Sequence, residues 1–148
     1  MISCTEFIPA YSEGFKFLEE KGGFDEVRTF WNHLADRYLE ESLKKHVQDM
    51  GLRGCFVYWK KALSEEAADF KMTFDEEKGE FRIEMRWCPS KGMLLEMDYM
   101  EPYDKYCLHC PALYSRVLEP LGYDFTMDLS ETNQAKCSVL VKKKDLEG

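Results

Sequence analysis

At about residue 68 the hydrophobic period of this chain changes, and that change constrains the architecture more than any other feature. Before it, apolar residues recur at helical spacing; after it they alternate. Phe70, Met72 and Phe74 interleave with Lys71, Thr73 and Asp75, and beyond Glu76-Glu77-Lys78-Gly79 the run Phe81, Ile83, Met85, Trp87 interleaves with Arg82, Glu84 and Arg86. Successive strand side chains point to opposite faces, so strict alternation separates an apolar face from a charged one. Two such runs around a Gly-containing turn predict an antiparallel hairpin.

The half before residue 67 reads as helix. Phe7, Ile8, Tyr11, Phe15 and Leu18 form one stripe that Gly22-Gly23 ends, with Pro9 placing the start of that helix near itself. Asp25 is the expected N-cap of a second helix whose stripe is Val27, Phe30, Trp31, Leu34, Tyr38, Leu43, Val47 and Met50, stopped by Gly51. A third, shorter segment carries Phe56, Val57, Trp59 and Leu63. After the hairpin comes an apolar, Met-rich stretch from Ser90 to Tyr103, read as a short helix and a connection. A helix follows with Leu113, Tyr114, Val117, Leu118 and Leu121, ended by Pro120 and Gly122. Tyr123, Phe125, Met127 and Leu129 alternate once more, as do Cys137, Val139 and Val141. The expected fold is therefore α+β in a single domain, 1–148, mainly helical over 1–66 and ββαββ over 67–148. N-terminal helices pack on an antiparallel sheet of about four strands.

Composition excludes several tasks. A net charge of −8 and a pI near 5.0 disfavour duplex nucleic acid, which needs a basic face. Lys142-Lys143-Lys144, the only basic cluster, reads as a solvated strand end. No apolar run approaches the ~20 residues that span a bilayer. Met1-Ile2-Ser3-Cys4-Thr5-Glu6 has neither a basic n-region nor a long apolar h-region. Cytoplasmic placement with free thiols is the expectation. Gly-x-Ser-x-Gly, P-loop and dinucleotide fingerprints are absent. His33 and His46 read as surface or boundary residues. Met85, Met93, Met97, Met100 and Met127, with Trp87, Tyr99, Tyr103 and Tyr106, could line an adaptable pocket for a small molecule.

Chemistry concentrates in Cys107-Leu108-His109-Cys110-Pro111, with Cys137 on the last strand and Cys88 at the end of the hairpin. Pro111 at a first helical position would make Cys110 the N-cap, where backbone donors and the helix dipole favour thiolate. Cys107, Cys110, Cys137 and Cys88 are also a candidate ligand set for a soft metal such as Zn²⁺, although a single C-x-x-C is a weak signature. A redox pair and plain packing cysteines are the other readings. Arg82 and Arg86, on the polar face of the hairpin, offer partners to an anionic substrate.

Trp87-Cys88-Pro89, Tyr106-Cys107-Leu108-His109-Cys110-Pro111, Leu118-Glu119-Pro120-Leu121-Gly122 and Cys137 together resemble the L-2-amino-thiazoline-4-carboxylic acid hydrolase family over residues 80–142. The resemblance implies that water opens a small cyclic amidine at a C–N bond to give a carbamoyl amino acid. Cys107, Cys110 and Cys137 would then be the positions for nucleophilic attack or metal binding, with His109 carrying protons. A more distant similarity, in the helices-then-ββαββ layout, is to vinyl-reductase-type ligand-binding domains. That would imply a non-catalytic module for a small molecule.

Overall fold

Six positions spaced four apart, Val27, Trp31, Ala35, Leu39, Leu43 and Val47, are all buried. That spacing sets the course of the helical layer. A strict α-helix advances 3.6 residues per turn, so a four-residue repeat drifts around its surface. The chain corrects the drift by changing its helix. In the computed structural model, which describes residues 4–145, α2 (Phe24–Leu34) passes into a π-helical turn (Ala35–Leu39) and then, after a short turn, into α3 (Leu43–Met50). The continuous helix expected here is thus interrupted. Tyr38 and Met50, expected inside the stripe, are 52% and 39% exposed, whereas Ala35 and Leu39 take the inner positions. Gly23, at φ 77°, precedes α2 as its cap, and Asp25 lies inside the first turn.

Helix α1 (Cys4–Gly22) begins before Pro9 and carries that proline inside it. Phe15 is fully buried, while Phe7, assigned to the same stripe, is exposed. Helix α4 (Leu52–Glu65) returns antiparallel to α3 through Gly51, whose φ of 62° favours glycine. The two helices approach so closely at Gly54 that an added Cβ would lie 2.2 Å from the His46 carbonyl oxygen.

The sheet follows the expected ββαββ order. Strands β1 (Asp69–Asp75) and β2 (Glu80–Trp87) form the hairpin, with Phe70 opposite Met85, Met72 opposite Ile83 and Phe74 opposite Phe81. Strands β3 (Tyr123–Asp128) and β4 (Cys137–Lys143) complete four antiparallel strands in the order β1-β2-β4-β3. Between the pairs run α5 (Pro89–Glu96) and α6 (His109–Leu118). Helices cover one face of the sheet. Trp59 of α4 stacks on Phe81 at 5.7 Å and on Phe125 at 6.4 Å, and Tyr114 of α6 meets Trp59 edge-on at 5.1 Å. Helix α6 contacts β3 on one side and α2 with its π-helical turn on the other.

Among the described residues no helix is long and apolar enough to cross a membrane. Met1-Ile2-Ser3, read above for an export signal, lie outside the described residues.

Two substitutions test this packing. Ile83 is buried and Glu84, its neighbour on the other face, is exposed. Ile83→Ala is expected to lower stability by about 2–4 kcal/mol and Glu84→Ala by under ~0.5 kcal/mol in denaturant titration. Gly54→Ala should cost about 1–3 kcal/mol by forcing α3 and α4 apart, although alanine is the better helix former.

Candidate active site around Cys110

Helix α6 starts two residues earlier than the proline suggested. A 3-10 turn, Tyr106–Leu108, leads directly into His109, so Leu108 is the cap, Cys110 the second helical residue and Pro111 the third. Proline is tolerated there because the first turn leaves its N–H positions without intrahelical partners anyway. The thiol-at-cap arrangement assigned to Cys110 is instead realised at Cys88, which precedes Pro89 at the start of α5. The amides of Lys91 and Ser90 beside Cys88 act to lower its pKa, but burial outweighs them and the thiol ends raised.

His109 and Cys110 form the central pair. Cys110 Sγ lies 3.5 Å from His109 Nε2. The other ring nitrogen, Nδ1, is hydrogen-bonded to the Tyr106 carbonyl oxygen. A carbonyl only accepts, so Nδ1 carries the hydrogen and Nε2 of the neutral ring is the acceptor facing the thiol. The imidazole packs among the rings of Tyr106, Phe15, Tyr11 and Trp31, with centroids 4.8–6.5 Å away. Burial there pushes the His109 pKa below its ordinary 6.5, with the Tyr106 carbonyl opposing the shift. Burial likewise pushes the Cys110 thiol up to about 12. At neutral pH the resting pair is therefore S–H donating to a neutral imidazole, not the thiolate expected from the helix dipole.

Cys110 is also the electrostatic hub of its surroundings. Charge on its sulfur would be felt by Cys88, Cys107 and Cys137 and by the hydroxyls of Tyr11, Tyr38, Tyr106 and Tyr114. The Glu66 carboxylate in turn acts on Cys110. Cys137, the first residue of β4, shares strand parity with the buried Val139 and Val141, so it lies on the helix-covered face as the three-thiol reading required. Of the residues expected to carry chemistry, His109 and Cys110 are in direct contact. Cys107, Cys110 and Cys137 are each partly exposed as residues, and burial raises the pKa of all three thiols.

The metal reading does not fit. Among the described residues no group of three or more His, Cys, Asp or Glu side chains is arranged to hold a metal ion. Cys88, Cys107, Cys110 and Cys137 are neighbours without being a ligand shell, and no step below passes through Zn²⁺. The Met-rich pocket does not form as expected either: Tyr99 and Trp87 are exposed, while Tyr103, Tyr106 and Met85 are packed in the core. Arg82 and Arg86 lie on the exposed face of the sheet, pairing at the surface with Glu80 at 3.0 Å and Asp69 at 3.1 Å. His33 is exposed and His46 bonds the Ser42 carbonyl, in keeping with their bland reading.

What sequence reasoning missed is the tyrosine set. Tyr11, Tyr38, Tyr58 and Tyr114 come from four separate helical elements and bring desolvated hydroxyls to the region of Cys110. The available signal was a polar-tipped aromatic at helical positions where leucine or phenylalanine would pack as well. Comparison with known proteins finds no matching family model, no matching curated protein and no matching solved structure.

The raised thiols predict pH behaviour. Cys55 and Cys110 are pushed to about 12 and Cys107 to about 11, above the ordinary 9.0 that they regain on unfolding. Between these values the unfolded chain has lost protons that the folded one keeps, so stability is full below pH 9 and declines toward pH 12. Equilibrium unfolding at stepped pH checks this. Iodoacetamide labelling should be slow at pH 7, rise roughly tenfold per pH unit, and reach the partly exposed Cys107 and Cys110 before the fully buried Cys55.

Proposed function

We propose that the chain is a small-molecule hydrolase acting on a C–N bond of a cyclic amidine such as a 2-aminothiazoline carboxylate. One observation carries the reading: the 3.5 Å approach of Cys110 Sγ to His109 Nε2, in a ring oriented through Nδ1 by the Tyr106 carbonyl. A nucleophile within reach of a base, with the base held by a third group, is the arrangement that activates a thiol.

The chemistry balances with these residues alone. Cys110 Sγ adds to the amidine carbon as its proton passes to His109 Nε2. The ring C–N bond breaks, its electron pair staying on nitrogen, which takes that proton. The carbon remains joined to Cys110 as an imidodithiocarbonate, bearing the exocyclic nitrogen, the former ring sulfur and the Cys110 sulfur. Water then adds to that carbon with His109 again receiving the proton. Collapse returns the proton to the departing Cys110 sulfur and releases a carbamoyl product. Because the resting pair is neutral, His109 acts as a general base during attack, a role that contributes ~10²–10⁴-fold in rate.

The raised thiol pKa values favour a second reading, a non-catalytic small-molecule-binding module. The two differ in what Cys110 does. With 2-aminothiazoline-4-carboxylate, hydrolysis is expected to vanish in Cys110→Ala and to fall about 10²–10⁴-fold in His109→Gln. Intact mass spectrometry should trap an adduct on the wild-type chain. Activity should lose its acid limb only below pH 6.5, since burial lowers the His109 pKa. Turnover by Cys110→Ala at the wild-type rate defeats the catalytic reading, and unaltered binding without turnover by wild type establishes the module.

A further inference from the structure

The carbonyl that orients His109 belongs to Tyr106, and it accepts twice: from the His109 backbone N–H and from Nδ1 of the same residue's ring. Its position therefore decides whether Nε2 faces Cys110, at 3.5 Å, as an acceptor. The turn that carries this carbonyl is only three residues long, Tyr106–Leu108. Hydrogen bonds in a 3-10 turn are poorly aligned, so such a short piece does not fix itself. Two hydroxyls from other elements hold it.

The first is Ser12 of α1. Among the described residues it is the one non-aromatic polar residue that is fully buried. Alanine would be the better helix former there, and a buried hydroxyl is costly without a partner. Its partner is the Tyr103 N–H, which donates to Ser12 Oγ at 2.9 Å. The Tyr103 carbonyl in turn accepts from the Tyr106 N–H at 3.1 Å. Phe15, one turn along α1, packs against the rings of both Tyr103 and Tyr106, with centroids at 5.9 and 5.7 Å.

The second hydroxyl is that of Ser90, in the first turn of α5. It lies 2.6 Å from the Tyr106 hydroxyl and shares a hydrogen bond with it. Tyr106 is 3% exposed, and its ring meets the His109 imidazole edge-on with 4.8 Å between centroids. A phenylalanine would fill the same space. What tyrosine adds is the tie to α5.

We propose that Ser12 and Ser90 are positioning residues of the Cys110–His109 pair. Ser12 acts through the Tyr103 peptide and Ser90 through the Tyr106 hydroxyl, and together they fix the carbonyl that keeps the imidazole hydrogen on Nδ1. With that carbonyl displaced, the neutral ring places its hydrogen on Nε2 as well. A protonated Nε2 cannot take the Cys110 proton. The inference rests on the reading of His109 as the base for Cys110.

Nitrogen NMR of histidine-labelled protein at neutral pH reads the tautomer directly, with His33 and His46 as internal controls. Wild type is expected to show His109 in the Nδ1–H form alone. In Ser12→Ala, Ser90→Ala and Tyr106→Phe the two His109 nitrogen signals should shift toward each other as the Nε2–H form enters, while the His33 and His46 signals stay in place. Ser90→Thr, which keeps the hydroxyl, should restore the wild-type pattern. Thermal melts establish that each variant folds. Ser12→Cys, which keeps the volume but offers only a weak acceptor, replaces Ser12→Ala if the latter does not fold. With 2-aminothiazoline-4-carboxylate, kcat should fall about 10- to 100-fold in the same variants at unchanged KM. An unchanged His109 tautomer in the folded variants, an equal disturbance of His33 and His46, no recovery in Ser90→Thr, or full kcat alongside a shifted tautomer overturns the assignment. Failure of the hydrolysis reading shows elsewhere, as full turnover by Cys110→Ala, and leaves the nitrogen spectra as they stand.

Discussion

Helix α6 is gripped from two sides, and the site exists because of that grip. Leu113, Val117 and Leu118 are buried, and α6 contacts β3 on one flank and α2 with its π-helical turn on the other. His109 and Cys110 stand in the first turn of this ten-residue helix, where burial shifts both away from their charged forms. Desolvation at that point decides the chemistry. The rise of the Cys110 thiol from 9.0 to about 12 corresponds to roughly 4 kcal/mol against the thiolate. A helix N-terminus supplies only about 0.3–1 kcal/mol in its favour. Burial wins by a wide margin, and the site rests as a neutral thiol on a neutral imidazole.

The same enclosure explains the helical layer around it. The π-helical turn Ala35–Leu39 sits where α2 would otherwise rotate its buried row away from α6. One side effect is the outward rotation of Tyr38, whose ring is exposed although its hydroxyl is desolvated toward Cys110. Insertions of this kind re-aim single side chains at functional positions. Two alanines also take the left-handed conformation: Ala67 just after α4, and Ala135, which accepts a 2.8 Å bond from the Cys88 amide. Local strain of this sort, about 1–3 kcal/mol each, persists only where surrounding structure over-determines it.

Most of the fold was legible because period is a one-dimensional property. The alternation of Phe81, Ile83 and Met85 survives in the structure as a buried row, and the ββαββ order follows from it. The helix interruption at residues 35–42 was hidden for a definite reason: spacings of three and four both count as helical, so Tyr38 fitted the stripe on paper as well as Leu39 did. Cys137 could be placed on the helix-covered face because the alternation of β4 was identifiable. The tyrosine hydroxyls could not, since their place depends on how α1, the π-helical turn, α4 and α6 are laid together. No spacing within one segment encodes that.

A cysteine kept protonated by burial is a different instrument from a thiolate. An ion pair of thiolate and imidazolium is reactive toward any electrophile that reaches it, including oxidants. A neutral S–H···N pair becomes nucleophilic only when an electrophile seated against the sulfur draws the proton across to His109. On the proposed reading, specificity therefore lies in what is held against the Cys110 sulfur, so that binding free energy is converted into alignment of a reacting carbon with the thiol rather than into intrinsic reactivity.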